Sequence, residues 1–414
     1  MRPKKSISCE ELIKIIPKNL LRKIAQETKI NYSVSKLTGE NMFSLLLYGL
    51  ISEKEVSLKI LQDVFESPLF LGINQTQKQK INKSALSYRL KNMRSDYFKK
   101  VFDHLAEDKR VNQYLGIVDK KYLVKKVDST IVTFSSKLLK IGMNIFAGRK
   151  DLKFSTAIAD GLPIEIELFT KKTYASENKA LKEIINRKRA KQRDKITILV
   201  FDRGIHNRDI FEEIVAQPQA HFVTRLTHQA YKVDRINKII QGRKAGKLIL
   251  SKDEIIHFES KKEKRLQPYR LITALDPKTK KEYQFLTSIL FLKAKEICSL
   301  YKDRWEIETF FKFLKQQLNF RHLISRSENG IKIVMYMTMI AATLIAIYKR
   351  INKIETWGSA KRKFIYELED KVLEIFFPYY ASKMGLCKEN FANFRQYLKI
   401  FNGCAMSTAA GMPC

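Results

Sequence analysis

Cysteine is scarce and poorly placed for any cross-link. The five in this chain (Cys9, Cys298, Cys387, Cys404, Cys414) are odd in number and scattered, with no Cys-x-x-Cys pair. That argues against a disulfide framework and a zinc cluster, and it suits a reducing compartment. The six histidines show no ligand-like spacing, and there is neither an internal repeat nor a low-complexity tract. The opening "MRPKKSISCEELIKIIPKN" lacks the apolar stretch of a secretory signal, so no signal peptide is expected. Long hydrophobic runs are also missing. The most apolar one, residues 333–348, falls short of the roughly 18 residues of a membrane span and is followed by Lys349 and Arg350. A buried core helix is expected there, and no membrane association. Acid is the other shortage. Asp and Glu number 43 against 78 Lys and Arg, a net charge of +35, which suits a polyanionic partner, most commonly nucleic acid. A ribosomal or membrane-surface protein can be equally basic.

With 414 residues, 45% of them hydrophobic and 11% aromatic, the chain can build sizeable cores in two or three domains. Residues 1–115 have helical periodicity. Within them "NKSALSYRLKNMRSDYFKK" begins like a DNA-reading helix with Ser, Tyr and Arg exposed, or like an ordinary amphipathic helix of a bundle. Near residue 120 the texture changes to strands: "KYLVKKVDSTIVTF", "DLKFSTAIAD" and "LPIEIELFTKKT", the last two joined by a turn at Gly161. A helix with Ser176 as N-cap, the buried strand "KITILVFD", the helix "NRDIFEEIVAQ" and the strand "AHFVTRL" follow, which together make a mixed α/β sheet. From 227 to 290 the pieces "GKLILS", "DEIIHFES", "YRLITALD" and "EYQFLTSI" read as a β-rich insertion. Helices return at about 291 and run on through 351–414, with a frayed tail. The basic run 186–195 is either a solvated helix end or part of a nucleic-acid track.

The densest chemistry lies in "YKDRWEIETFFKFLK", residues 301–315. On one continuous helix, Tyr301, Arg304, Glu308 and Lys315 fall within an arc of roughly 60°. The plain reading is an Arg304–Glu308 ion pair on an amphipathic helix. Two further acids stand on strands. Asp128 sits in "KKVDSTIV", and Asp202 ends "KITILVFDRG", where Gly204 would let the chain break sharply. Polar residues at the carboxyl ends of strands are favoured site positions in α/β sheets, though strand-end acids also cap helices or pair with arginine. Together, Asp128, Asp202 and Glu308 could form the all-oxygen set that Mg²⁺ prefers. Two such ions would suit phosphodiester displacement, with Arg304 and Lys315 on the phosphates and Tyr301 donating to one of them.

These residues resemble IS4-type DDE transposases, the group that includes the Tn5 transposase. The resemblance spans about 120–350 and rests on "VDST" with Asp128, "VFDRGIHN" with Asp202, and the family's spaced Tyr, Arg, Glu and Lys, matched at Tyr301, Arg304, Glu308 and Lys315 with every interval intact. One departure is Ile205, where the family usually has an aromatic residue. The resemblance implies an α/β fold: an RNase H-like mixed-sheet catalytic core (116–226 and 291–350), interrupted by the β-rich insertion (227–290) and flanked by N-terminal (1–115) and C-terminal (351–414) helical regions for DNA-end recognition and dimer contacts. It implies Mg²⁺, with Mn²⁺ as a substitute and two ions in all, at Asp128, Asp202 and Glu308. It further implies cleavage at terminal inverted repeats through a hairpin, strand transfer into target DNA, a homodimer in the DNA complex, and a place in the bacterial cytoplasm at the nucleoid. Trp305 would stack on a displaced base or else pack in the core beside Phe311. Arg225 would touch a phosphate or else form a surface salt bridge. An RNase H-like nuclease without joining activity, a DNA-binding derivative of a transposase, and an architectural protein of the ribosome or chromatin are the rival readings.

Overall fold

The computed structural model describes residues 6–67, 70, 80–114, 121–135, 139, 141–145, 147–185, 195–226, 231–258 and 267–384. Most of the basic run 186–195 and the expected frayed tail lie outside the described residues. Among the described residues seven helices come first: α1 (Cys9–Ile13), α2 (Lys18–Thr28), α3 (Gly39–Ser52), α4 (Leu58–Glu66), α5 (Lys83–Asn92), α6 (Ser95–Glu107) and α7 (Lys109–Tyr114). Their starts follow local chemistry. Thr38, Ser57 and Asn82 each accept a backbone N–H of the helix they open. Within α5, Ser84 and Tyr88 are exposed, but Arg89 is turned inward and donates to the carbonyls of Leu37 (2.8 Å) and Ile30 (2.6 Å). That arginine therefore ties helices together and is not presented to a groove.

The strands β1 (Tyr122–Ser135), β2 (Arg149–Ala159) and β3 (Leu162–Phe169) form an antiparallel meander. The β2–β3 turn places Asp160 at φ 51° and Gly161 at φ 76°, the pair of left-handed residues that an Asp-Gly hairpin turn supplies. After α8 (Glu177–Ile185) come β4 (Ile196–Val200), α9 (Arg208–Val215) and β5 (Ala220–Arg225), with β4 parallel to both β1 and β5. This β3-β2-β1-β4-β5 half is a mixed sheet, as expected for the core.

The insertion consists of β6 (Tyr231–Ala245), β7 (Leu248–Phe258), β8 (Tyr269–Leu275) and β9 (Glu282–Thr287). It differs from expectation in its strands: "GKLILS" and "DEIIHFES" are one strand, β7, and a long strand, β6, precedes it. The insertion continues the sheet, because β9 pairs with β5 and gives a single nine-stranded order, β3-β2-β1-β4-β5-β9-β8-β7-β6. Asp253 in β7 is buried against Arg270 of β8 in two bonds of 2.8 and 2.7 Å. Arg270 also donates to the carbonyls of Ile289 and Leu292, which pins the insertion to the chain leading out of it.

Four helices follow among the described residues: α10 (Ala294–Lys302), α11 (Trp305–Gln317), α12 (Glu328–Ile351) and α13 (Trp357–Met384). Alternation along β4 explains the layering. Leu199 faces α8 and α9 together with Phe201 just beyond the strand, whereas Ile198 and Val200 face α10. Helix α12 holds the apolar run. It is long and apolar enough to cross a membrane, yet 94% of its most apolar window is buried inside the protein. One hydrophobic cluster joins it to the N-terminal helices, to β2 and β3, and to α11 and α13.

Lys361 of α13 is a buried strut. It donates to the carbonyl of Gln317 at the end of α11 (2.7 Å) and reaches that of Glu53 after α3 (3.5 Å). Burial lowers its ammonium to about 8 from 10.5, so between those values the unfolded chain holds more protons than the folded one. Stability from this group therefore rises with pH across that window. In melts at stepped pH, the wild type should gain on Lys361→Met by up to about 3 kcal/mol between about pH 8 and 10.

Candidate active site

The two aspartates come together through strand register. Lys126 of β1 lies beside Val200 of β4 in parallel pairing, so two residues further along Asp128, midway along β1, and Asp202, just past the end of β4, stand side by side. Ile205 closes the turn by donating its N–H to the Asp202 carbonyl at 3.1 Å. Gly204 does not adopt a left-handed backbone, and a Cβ there would meet Glu177 Cγ at an ordinary 3.8 Å, so its conformational freedom is not what the turn requires. Ile205 is buried in the core under the turn, filling with aliphatic bulk the place where an aromatic residue was expected.

The third acid arrives from α11, and here the structure corrects the single helix expected over 301–315. The helix breaks after Lys302 and restarts at Trp305. Asp303 and Arg304 keep right-handed angles, but Arg304 N–H bonds back only three residues, to Tyr301, at 3.1 Å. The tightened turn leaves Tyr301 at the end of α10 and Glu308 in the first turn of α11. A parallel ion pair, Lys126 with Glu306, joins β1 to α11 beside the site.

At the centre is Arg304. Its guanidinium lies 2.7 Å from Glu308, 3.5 Å from Asp128 and 3.9 Å from Asp202. The expected Arg304–Glu308 pair is thus one edge of a four-residue cluster. The arginine side chain is 10% exposed, whereas Asp128, Asp202 and Glu308 are 25%, 45% and 34% exposed, so the acids face solvent over a buried cation. Arg304 Nε is buried without a hydrogen-bond partner. Tyr301 donates to Asp202 at 3.1 Å; its hydroxyl is pushed up to about 12 by burial and by Asp202. Burial raises Asp128 to about 6. The Ser129 N–H and Arg304 oppose that shift, and the charges of Glu177 and Asp202 add to it.

The remaining expected residues are less tightly drawn in. Lys315 is half-buried near Asp128, and its ammonium is lowered by burial and by Arg321, with Asp128 opposing. Arg225 lies over the Tyr283 ring at 4.8 Å, where a surface salt bridge was the alternative. Trp305 is 64% exposed, which removes the core reading for it. Among the described residues no three His, Cys, Asp or Glu side chains are already set as a metal cluster. One acid had no signal in the sequence beyond its place after the helix start at Ser176. Glu177 lines a cavity of about 120 Å³ with Asp128, Asp202, Gly204 and Ile205.

The transposase DDE domain family matches residues 120–344, more than half of the chain. The chain belongs to the DDE transposase family. It is 31% identical over 159 residues to a protein named as transposase y4zB in Sinorhizobium fredii (strain NBRC 101917 / NGR234), covering 37% of this chain and 43% of that one. It is also 25% identical over 225 residues to one named as a transposase for insertion sequence element IS4SA in Synechocystis sp. (strain ATCC 27184 / PCC 6803 / Kazusa), covering 53% and 59%. The chain therefore spans about half the length of the relatives it matches. A solved piggyBac transposase synaptic complex with hairpin DNA covers 94% of this DDE transposase chain and 85% of its own, at 11% identity and a TM-score of 0.45, too slight a likeness to carry weight.

The raised carboxyl of Asp128 gives a pH test. A carboxyl at about 6 when folded and 3.8 when unfolded contributes stability at low pH that is lost as pH rises through 6. In DNA-free protein without divalent ions, Asp128→Asn should therefore gain on the wild type by up to about 3 kcal/mol between about pH 4 and 7, read from urea unfolding.

Proposed function

We propose that this chain is the DNA transposase of an insertion sequence, cutting at terminal inverted repeats and joining the freed 3′-ends to target DNA. The observation that carries this reading is the convergence of Asp128, Asp202 and Glu308 on the Arg304 guanidinium, in a chain of the DDE transposase family. Three acids that share one cation, with their oxygens toward solvent, have the donor chemistry of a hard divalent ion. These carboxylates would hold Mg²⁺, or Mn²⁺ in its place, as a pair of ions, which would supply Lewis acidity at the scissile phosphate.

The chain's own residues do the rest. Arg304 has a planar fork for a phosphate once the acids no longer occupy it, and its buried, unpartnered Nε is one donor still to be satisfied. Lys315 supplies a point charge beside Asp128. Tyr301 fixes the orientation of Asp202 by its hydrogen bond, and that leaves the phosphate contact to the two cations. Exposed Trp305, at the entrance of α11, is available to stack on a base. Arg225, held against Tyr283, extends the positive track. The net charge of +35 supports a long, salt-sensitive DNA footprint. The enzyme would act on the bacterial chromosome in the cytoplasm, as a homodimer that pairs two element ends.

The test uses the DNA that naturally flanks the gene, incubated with purified protein and Mg²⁺ and resolved on a sequencing gel. The wild type should give discrete cuts at a pair of inverted repeats, and Glu308→Gln should lower them by more than about 100-fold. DNA binding with no cuts by either protein would overturn the enzyme reading.

A further inference from the structure

The cavity beside the aspartates is lined by three acids from three elements: Asp128 on β1, Asp202 after β4 and Glu177 at the start of α8. Glu308 does not line it and meets Arg304 on another side. Beneath Glu177 lies Lys153 of β2, whose side chain is 0% exposed. Its ammonium is 2.9 Å from Glu177 Oε1 and donates to the Ala175 carbonyl at 3.2 Å. A lysine this deep requires a counter-charge. Placing that charge at the cavity wall fixes one carboxylate oxygen of Glu177 while its side chain stays 42% exposed. The helix start adds the favourable end of its dipole.

We propose that Glu177 is a fourth acid of this site, seated by Lys153 to attract a divalent cation into the cavity it shares with Asp128 and Asp202. This rests on the metal-dependent reading given above. The cation is an oxygen-preferring one, and the contribution of Glu177 is charge and hydrogen bonding on the face that Glu308 does not reach. The competing role, in which Glu177 serves only to neutralise Lys153, makes a different prediction.

Full-length DNA-free protein is titrated with Mn²⁺, and the free ion is followed by electron paramagnetic resonance. Glu177→Gln should weaken Mn²⁺ binding by about tenfold, the scale of a residue that supports metal ligands. It should also lower the melting temperature, since it leaves Lys153 uncompensated. The double variant Lys153→Met/Glu177→Gln should regain the melting temperature but not the Mn²⁺ affinity. Wild-type affinity in that double variant, with Asp128→Asn and Asp202→Asn both weakened, would overturn the assignment of Glu177 alone. Unchanged affinity in all of them would overturn the metal reading of the site and this inference with it.

Discussion

A helix that is apolar all round has to be covered all round. Nineteen of the 24 residues of α12 are buried, and no single layer of the protein could cover it. The N-terminal helices close on it from one side, the β2–β3 meander meets it on another, and α13 packs along it. Its N-terminus is held as well, since Asn329 donates to the carbonyls of Leu90 in the last turn of α5 (3.2 Å) and of Met93 just after it (2.5 Å). Its far end donates from Arg350 to the Asp160 carbonyl in the hairpin turn at 2.6 Å. The helices that precede β1 are thereby part of the same hydrophobic body as the sheet. Helix α11, which carries Glu308, sits inside that body, with Lys361 bonded to its last turn.

Within this frame the site is an electrostatic balance. Arg304 is buried, and burial alone would disfavour its charge; the acids and Tyr301 more than offset that, and its proton is held more tightly than usual. The acids in turn gain from the guanidinium part of what they lose on leaving water, though not enough for Asp128, whose burial dominates. A cluster of this kind is mutually supported: each member keeps its charge through the others, and removing any one of them unbalances the rest.

How much of this was legible follows from the range of the interactions. The Asp-Gly hairpin, the buried strand before Asp202 and the apolar α12 are written in neighbouring residues, and so they could be read. The spacing from Tyr301 to Lys315 singled out residues that the fold brings into contact with the acids, Arg304 with Glu308 and Tyr301 with Asp202, although the helix there is broken. Asp303 and Arg304 keep helical angles, and only the backbone bonding changes, which no side-chain pattern reports. Strand β7 read as two pieces because Asp253 has its partner, Arg270, 17 residues away. Strand β6 was missed because an edge strand rich in polar residues lacks alternation. Glu177 had no spacing to betray it, and its place depends on a lysine that reaches it from a different strand.

Because β9 pairs on one side with β5 and on the other with β8, the insertion and the strands that carry the aspartates form one continuous hydrogen-bonded plate. Backbone ladders are stiff along the direction of their bonds, whereas a tethering loop is slack. Twisting or loading the outer strands thus reaches β5 and β4 as a deflection, with Asp202 at the tip of β4. The insertion is therefore an extension of the plate whose far half carries the two aspartates, and the Asp253–Arg270 pair fastens β7 to β8 within it.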